Sequence, residues 1–171
     1  MRAEASSSSS PATYHVFLTF NMEDSVKAFI DHLHEALKEA GYRTCLDEDG
    51  DEGTERGENI ISELEKSRIS IIVFSERYAY STRCLDKLVM ILQNKRTSSD
   101  SHRVLPVFYN VFPHDVRQQD GNFGEAFKRY EERLKAEEGE SKDRWTSKLE
   151  EWKNALKEAA GLAGMDLDCY R

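Results

Sequence analysis

The sequence predicts an α/β fold in which an open parallel sheet carries helices on both faces. Short apolar runs typical of buried strands occur at 14–20, 69–74 and 104–111. Between them, apolar residues recur at the three- and four-residue spacing of amphipathic helices. Strands that alternate with helices pair in parallel through right-handed crossovers, so the helices cover both faces of the sheet.

The first part of the chain alternates strand, helix and strand. Tyr14–Phe20 is β-branched and aromatic and too short for a helix, which predicts the first strand. Apolar residues from Val26 to Ala40 follow helical spacing, and Gly41 comes where a helix C-cap is expected. Tyr42–Leu46 predicts a short second strand. The acidic segment Asp47–Gly57, with its three glycines, predicts an exposed loop.

The second part repeats this alternation. Ile69–Phe74 predicts a strand that is covered on both faces, and Val104–Val111 predicts another, in which Pro106 indicates an edge or distorted position. Four helices are predicted, with apolar faces at 60–64, 84–92, 123–134 and 149–159. No fifth strand is visible in the pattern.

Composition excludes several classes of function. A chain of 171 residues suits one domain, and its net charge of −8, with basic residues scattered among acids, argues against binding to nucleic acid. No apolar stretch approaches the roughly 20 residues that cross a bilayer. The three cysteines are far apart and predict neither a disulfide framework nor a zinc site. His32 and His34 are two apart on a predicted helix and point away from each other, so no metal is assigned.

The ends of the chain predict its organisation and compartment. The Ser-rich run Met1–Thr13 predicts a disordered tail, with a chloroplast transit peptide as the alternative. Residues 14–167 form the predicted domain, and 168–171 an end or a linker. We expect a cytoplasmic protein, with a nucleocytoplasmic distribution as the alternative.

Ligands of open parallel sheets bind beyond the carboxyl ends of the strands. These ends lead into loops at Phe20–Glu23, Asp47–Arg56, Ser75–Arg83 and Asn110–Asp115. The first of these loops is too bulky and acidic to cradle a flavin phosphate. Ser75 occupies the position where a response regulator needs its phospho-accepting aspartate.

Several motifs together resemble the plant TIR (Toll/interleukin receptor) family. They are YHVFLTF before Glu23-Asp24, ISIIVFSERYA at Ile69–Ala79, CLDKL at Cys84–Leu88, LPVFYNVFPHDVRQQDGNFGEAF at Leu105–Phe127 and EEWKNALKEAAGLAG near the end. The resemblance covers Tyr14 to Leu167. It implies a flavodoxin-like open sheet of five parallel strands, and thus a fifth strand. It also implies the N-terminal signalling module of nucleotide-binding, leucine-rich-repeat immune receptors, whose active members associate through helix faces and cleave NAD between nicotinamide and ribose.

The resemblance places the family's catalytic glutamate at Lys87. Cleavage of the glycosidic bond develops positive charge on the ribose, which a carboxylate stabilises and a lysine repels. Asp86 is no substitute, because adjacent helical residues point about 100° apart and Asp86 falls opposite the apolar stripe. We expect no other suitably placed carboxylate in the pocket, and therefore no catalytic residue.

Other pocket positions also depart from the family. Arg83 stands where the family commonly has a tryptophan before Cys84, and Asn21-Met22 where it commonly has Arg-Gly. Arg56-Gly57 matches the family's ERG pattern, with a solvated loop as the alternative interpretation. The predicted nucleotide-pocket positions are Asn21, Met22, Arg56, Gly57, Arg83, Cys84 and Lys87.

Two interfaces follow from the resemblance. Asp31-His32 matches a Ser-His pair with which family members pack their first and last helices together, and Asp31 adds charge there. Gly124 and Trp152-Lys153 match a second interface. By periodicity alone, Trp152 belongs to the core.

These observations predict a non-catalytic module that associates with other TIR domains, its own copies or those of a paired receptor, and that needs no cofactor. The alternative is an NAD nucleosidase, which would require another acid and would use NAD as its substrate. A third possibility is a pocket that binds a nucleotide without cleaving it.

Overall fold

The computed structural model describes residues 15–22, 25–47, 64–98, 102–162 and 165–167. The strands are β1 (His15–Thr19), β2 (Arg43–Asp47), β3 (Ile69–Phe74), β4 (Arg103–Tyr109) and β5 (Met165–Leu167). The helices are α1 (Lys27–Glu39), α2 (Thr82–Ser98), α3 (Pro113–Gln118), α4 (Gly121–Lys135) and α5 (Gly139–Ala160). A single 3₁₀ turn spans Tyr78–Tyr80.

The five strands form one parallel sheet in the order β2-β1-β3-β4-β5. This open α/β architecture confirms the predicted fold class. The fifth strand, which the resemblance implied, pairs Met165–Leu167 with Val107–Tyr109. Its three residues are too few for an apolar period to show in the sequence.

Helices cover both faces of the sheet. Side chains alternate along β1, so that Val16 and Leu18 pack towards α1 while Phe17 packs on the other face, with α2, α4 and α5. The apolar cluster on the Phe17 face is the larger of the two, and it includes the buried ring of Trp152. The tryptophan is thus a core residue, as its periodicity predicted.

Pro106 predicted an edge or a distorted position, and the first of these is wrong because β4 is not an edge strand. Pro106 is registered with Ile72 of β3, and β4 lies between β3 and β5. Pairing with β5 begins only at Val107, so at Pro106 the described residues place a registered partner strand on one side alone. A proline is tolerated there because the backbone N–H that it lacks is not needed by a second neighbour.

Some predicted elements fall outside the described residues. Tyr14, the loop after Asp47 and the start of the helix predicted at 60–64 are among them, and only Leu64–Lys66 of that region is seen as helical. Helix α3 was not predicted, because its six residues are too few for a helical period. None of the described helices has both the length and the apolar composition needed to span a membrane.

Candidate functional site

The carboxyl ends of the parallel strands meet at one edge of the sheet, where we expected the site. Thr19 ends β1, Asp47 ends β2, and the first turns of α2 lie beside them. At the same edge, the Asn110 side chain after β4 donates a hydrogen bond of 3.3 Å to Glu76 after β3. The edge therefore brings together residues from the first four strands.

Lys87, at the family's glutamate position, points into this edge and is buried. Its Nζ lies 3.5 Å from Oδ1 of Asp47, and the two residues are 7% and 8% exposed. The other carboxylate oxygen of Asp47 accepts a hydrogen bond of 3.0 Å from the Thr19 hydroxyl. An ion pair with a supporting hydrogen bond thus occupies the position at which the resemblance places the family's catalytic glutamate.

Asp47 is a buried carboxylate at this edge that we did not name as a pocket residue. It was missed because it is the first residue of an acidic run that predicts a loop, whereas the structure pairs it as the last residue of β2. Its charge is matched by Lys87, so the pair as a whole offers a sugar cation no net negative charge. The buried pair is therefore a poor stabiliser of an oxocarbenium ion.

Asn21 and Met22, which follow β1, have different environments. Asn21 is buried, and its side-chain amide donates a hydrogen bond of 2.7 Å to the carbonyl of Arg77. It thereby ties the exit of β1 to the segment after β3. Met22 is 39% exposed and adds an apolar surface at the rim.

Arg83 and Cys84 begin α2 but face different ways. Arg83 is exposed, whereas the Cys84 thiol is buried and lies 3.8 Å from the carbonyl oxygen of Phe20. The Tyr78 hydroxyl donates a hydrogen bond of 3.1 Å to the Cys84 carbonyl. Burial raises the pKa of Tyr78 well above its usual value, so this donor keeps its proton. These contacts fix the start of α2 against β1.

Asp86, which we had placed opposite the apolar stripe of α2, faces α5. Its Oδ1 accepts hydrogen bonds from Trp152 Nε1 at 3.0 Å and from Lys148 Nζ at 2.9 Å. The sequence did not predict these contacts, because α5 packs beside α2 and a helical wheel of α2 alone cannot show that neighbour. Our conclusion that Asp86 does not replace the glutamate is unaffected, because Asp86 and Lys87 point about 100° apart.

The remaining pocket positions, Arg56 and Gly57, lie outside the described residues. Of the predicted pocket residues that the structure describes, Asn21, Cys84 and Lys87 are buried beside the strand ends, and Met22 and Arg83 lie on the surface.

The two predicted interfaces lie on different helices. On α1, His32 and Asp31 are exposed, and Asp31 forms an ion pair of 2.7 Å with Lys27. On α5, Lys153 pairs with Glu131 of α4 at 3.1 Å. A Cβ added to Gly124 would lie 2.7 Å from the carbonyl oxygen of Gln119, so this glycine has a structural role whether or not it contacts a partner.

One group of possible metal ligands occurs in the described residues. His114, Asp115 and Asp120 place one ligand atom each within 4.8 Å of one another, around the turn between α3 and α4. Such surface groups commonly pair with each other in the absence of an ion, and His114 lies 3.7 Å from Asp115 and 3.6 Å from Asp120. Nothing further in their surroundings points to a cation.

Comparison with known proteins decides the family. The profile of the TIR domain matches residues 13–169, almost the whole chain. The chain belongs to the TIR domain family. This TIR domain is 43% identical over 95% of its length to the disease resistance protein RPV1 of Vitis rotundifolia, and 40% identical over 98% of its length to the TMV resistance protein N of Nicotiana glutinosa.

A solved structure agrees with the family. The TIR domains in the structure of the activated Roq1 resistosome, which directly recognises the pathogen effector XopQ, share 37% identity with this TIR domain. The alignment covers 90% of this chain and 87% of that one, with a TM-score of 0.76. The chain spans 11% of the length of RPV1 and 14% of that of N. It is thus a TIR domain of the kind found in plant disease resistance proteins.

Proposed function

We propose that this TIR domain is a non-catalytic interaction module of plant immune signalling, which associates with other TIR domains, its own copies or those of a paired receptor. The observation that carries the proposal is the buried Lys87–Asp47 ion pair at the family's glutamate position. Because Lys87 and Asp47 neutralise each other, the pair has no net negative charge to stabilise the charge that develops on ribose when NAD is cleaved.

The surroundings of the pair support the same proposal. Arg83 offers a second cation at the start of α2, where the family's tryptophan would stack on a flat ring. Asn21, which replaces the family's arginine, is buried and bonded to a backbone carbonyl rather than directed towards a substrate. The described part of the site therefore has neither the family's glutamate nor its tryptophan at the matching positions, which are Lys87 and Arg83.

The part of the proposal that concerns association with other TIR domains is supported by the relatives. The Roq1 TIR domains are part of a resistosome, and His32, the residue shared with the family's first interface, is exposed on α1. An exposed and partly charged helix face suits a modest, concentration-dependent contact. We place this module in the cytoplasm or in a nucleocytoplasmic distribution, which a fluorescent fusion would test.

The test is NAD consumption by the purified chain at high concentration with a crowding agent, beside an active TIR domain. We expect no turnover above the blank. A Lys87→Glu, Arg83→Trp variant restores the family residues, and Asp47→Asn added to it removes the repulsion between the new carboxylate and Asp47. Turnover by this triple variant would assign the loss to these positions.

One observation favours the alternative of an NAD nucleosidase. Asp47 is a carboxylate at the correct edge of the sheet, and it would act if Lys87 moved away from it. Turnover by the wild-type chain would overturn our proposal, and loss of that turnover in Asp47→Asn would identify the acid. Thermal stabilisation by NAD without turnover would instead support a pocket that binds a nucleotide and does not cleave it.

A further inference from the structure

Both tryptophans of the chain line one cavity, on a different face of α2 from Lys87. The cavity has a volume of about 310 Å³ and lies between the start of α2 and the first half of α5. Trp145, Trp152, Arg144, Lys148 and Asp86 contribute most of its wall. No residue of the predicted nucleotide pocket lines it, so this is a separate site.

The aromatic walls of the cavity are held in place by their neighbours. Trp152 donates its ring N–H to Asp86, and its ring centroid lies 5.4 Å from that of Tyr130. Trp145 stands nearly perpendicular to Trp152, with the ring centroids 6.1 Å apart. Because Trp145 is only half-buried, its ring is also available to a ligand. The cavity therefore needs little rearrangement to receive an apolar group.

Arginines surround this cavity. Arg133 of α4 lies over the Trp145 ring at 5.1 Å, Arg129 lies over the Tyr80 ring at 5.0 Å, and Arg144 lines the cavity itself. Within the described residues, no carboxylate is at ion-pairing distance from any of the three. Lys148, in contrast, is neutralised by Asp86. On a chain of net charge −8, this face carries positive charge without an ion-pair partner among the described residues, beside partly buried aromatic rings.

Acids near this face do not cancel the three guanidinium groups. Glu140 and Asp143 are exposed on α5 next to Arg144, and neither forms an ion pair with it. Glu137 accepts a hydrogen bond from Ser141. Arginine, tryptophan and tyrosine are the residue types that contribute most to protein–protein binding, and here they form one surface.

The spacing of the arginines on α4 indicates the kind of ligand. Arg129 and Arg133 are four residues apart on α4, about 6 Å along the helix axis. Alternate side chains of an extended peptide are separated by about 6 to 7 Å. The spacing of the two arginines on α4 thus matches that of alternate side chains of an extended peptide, and the cavity volume suits one bulky side chain.

We propose that this face binds an acidic peptide segment of a partner protein in an extended conformation. Carboxylates at alternate positions contact Arg129 and Arg133, and a side chain of phenylalanine size enters the cavity against Trp145. The guanidinium groups are already oriented by the rings below them, which lowers the entropic cost of binding. This inference does not depend on whether the domain cleaves NAD, but it shares Trp152 with the second predicted interface.

The experiment titrates the full chain at low salt with a synthetic peptide in which glutamates alternate with glycines around one phenylalanine. The signal is tryptophan fluorescence, and because the peptide has no tryptophan, this fluorescence comes from Trp145 and Trp152 alone. We expect a saturable change that weakens as salt is added. The Arg129→Gln, Arg133→Gln variant binds about tenfold more weakly, or more, since it loses two charge-assisted contacts. The matched control, Lys128→Gln on the same helix, binds as the wild type does.

Four outcomes would overturn the proposal. They are the absence of a saturable change, equal binding of a peptide with lysines in place of the glutamates, equal binding to the double arginine variant, and an emission change that tracks dimerisation in sedimentation. Thermal unfolding verifies that each variant is folded. Arg144→Gln, at an exposed position of the cavity wall, provides a second variant, and we expect it to weaken binding less than the double substitution because only one positive charge is lost.

Discussion

At the scale of single residues, Lys87 and Asp47 are held 3.5 Å apart with little exposure to water. Removing one charge of a buried pair costs more than the pair itself contributes, because the other charge remains without compensation. The hydrogen bond from Thr19 satisfies one oxygen of Asp47 but supplies no positive charge. Lys87 therefore matters to stability as well as to chemistry.

We expect Lys87→Met to lower the free energy of unfolding by about 3 kcal/mol at neutral pH, since it removes the cation that lies 3.5 Å from the buried Asp47 carboxylate. Adding Asp47→Asn should recover most of this loss, because an asparagine retains an acceptor for Thr19 and carries no charge. Urea unfolding of both variants measures the effect. Lys128→Met, at an exposed position of α4, is the control and should change stability little. Equal stability of Lys87→Met and wild type would show that the pair is unimportant to the fold.

Gly124 offers a second test, in which two effects have opposite signs. Alanine in a helix is favoured over glycine by about 1 kcal/mol. Its Cβ at this position would lie 2.7 Å from the Gln119 carbonyl oxygen, which is backbone and cannot rotate away. We expect the clash to prevail and Gly124→Ala to lower stability by about 1 to 3 kcal/mol, measured by thermal unfolding.

The control for this substitution is Gly161→Ala at the end of α5. A Cβ there would approach no atom closer than 3.5 Å, and the backbone φ of −86° suits any residue. This variant should be close to neutral. If Gly124→Ala were as stable as Gly161→Ala, the backbone near Gln119 would have to be more compliant than the contact implies.

At the scale of the elements, His102 connects three parts of the fold at the amino end of the sheet. It is buried, its Nδ1 lies 2.7 Å from the Ser67 carbonyl oxygen, and its Nε2 lies 2.8 Å from the Ser70 hydroxyl of β3. The carbonyl can only accept, so Nδ1 carries the proton and Nε2 accepts from Ser70. The neutral ring therefore satisfies both partners and fastens the start of β4 to β3.

This contact predicts how stability varies with pH. Burial lowers the pKa of His102 below its usual value, and nearby Lys95 contributes in the same direction. The neutral ring is favoured by folding, so its contribution is complete above the unfolded-state pKa of about 6.5 and is lost as pH falls below it.

The measurement compares the free energy of unfolding of wild type and His102→Gln between pH 7.5 and 5.5. The difference in the free energy of unfolding between wild type and His102→Gln should decrease towards pH 5.5, by no more than about 1.4 kcal/mol per pH unit for a single proton. His32→Gln, on the exposed face of α1, controls for the loss of one imidazole. A constant difference over this range would mean that His102 does not exchange a proton there.

At the scale of the whole molecule, association depends on charge as much as on shape. The chain carries a net charge of −8, so two copies repel each other at long range. Asp31 adds to this repulsion at the first family interface, where it is exposed beside His32 and only partly offset by Lys27. Salt screens such repulsion over about 10 Å.

We expect Asp31→Ser, which restores the family's residue, to strengthen self-association by roughly twofold to tenfold at low salt. Sedimentation velocity over a range of concentrations would measure it. Glu35→Gln removes an equal charge from the same helix four residues away and should have a smaller effect. Identical behaviour of the two variants would assign the change to net charge rather than to the interface position.

The sequence by itself determined the alternation of the first four strands with helices, the apolar faces of the longer helices and the lysine at position 87. These features are local, because apolar periodicity and residue identity depend on no distant partner. The family motifs added the fifth strand, which three residues are too few to reveal.

Only the tertiary structure decided what the charged residues do. It paired Lys87 with Asp47 across 40 positions of the chain, joined Asp86 to Trp152 of α5, and put Pro106 beside the start of the β4–β5 pairing. The physical reason is the same for the two contacts of charged residues, Lys87–Asp47 and Asp86–Trp152. A charge or a polar group acquires its role from the partner that burial brings within a few ångströms, and that partner lies on another element of the fold.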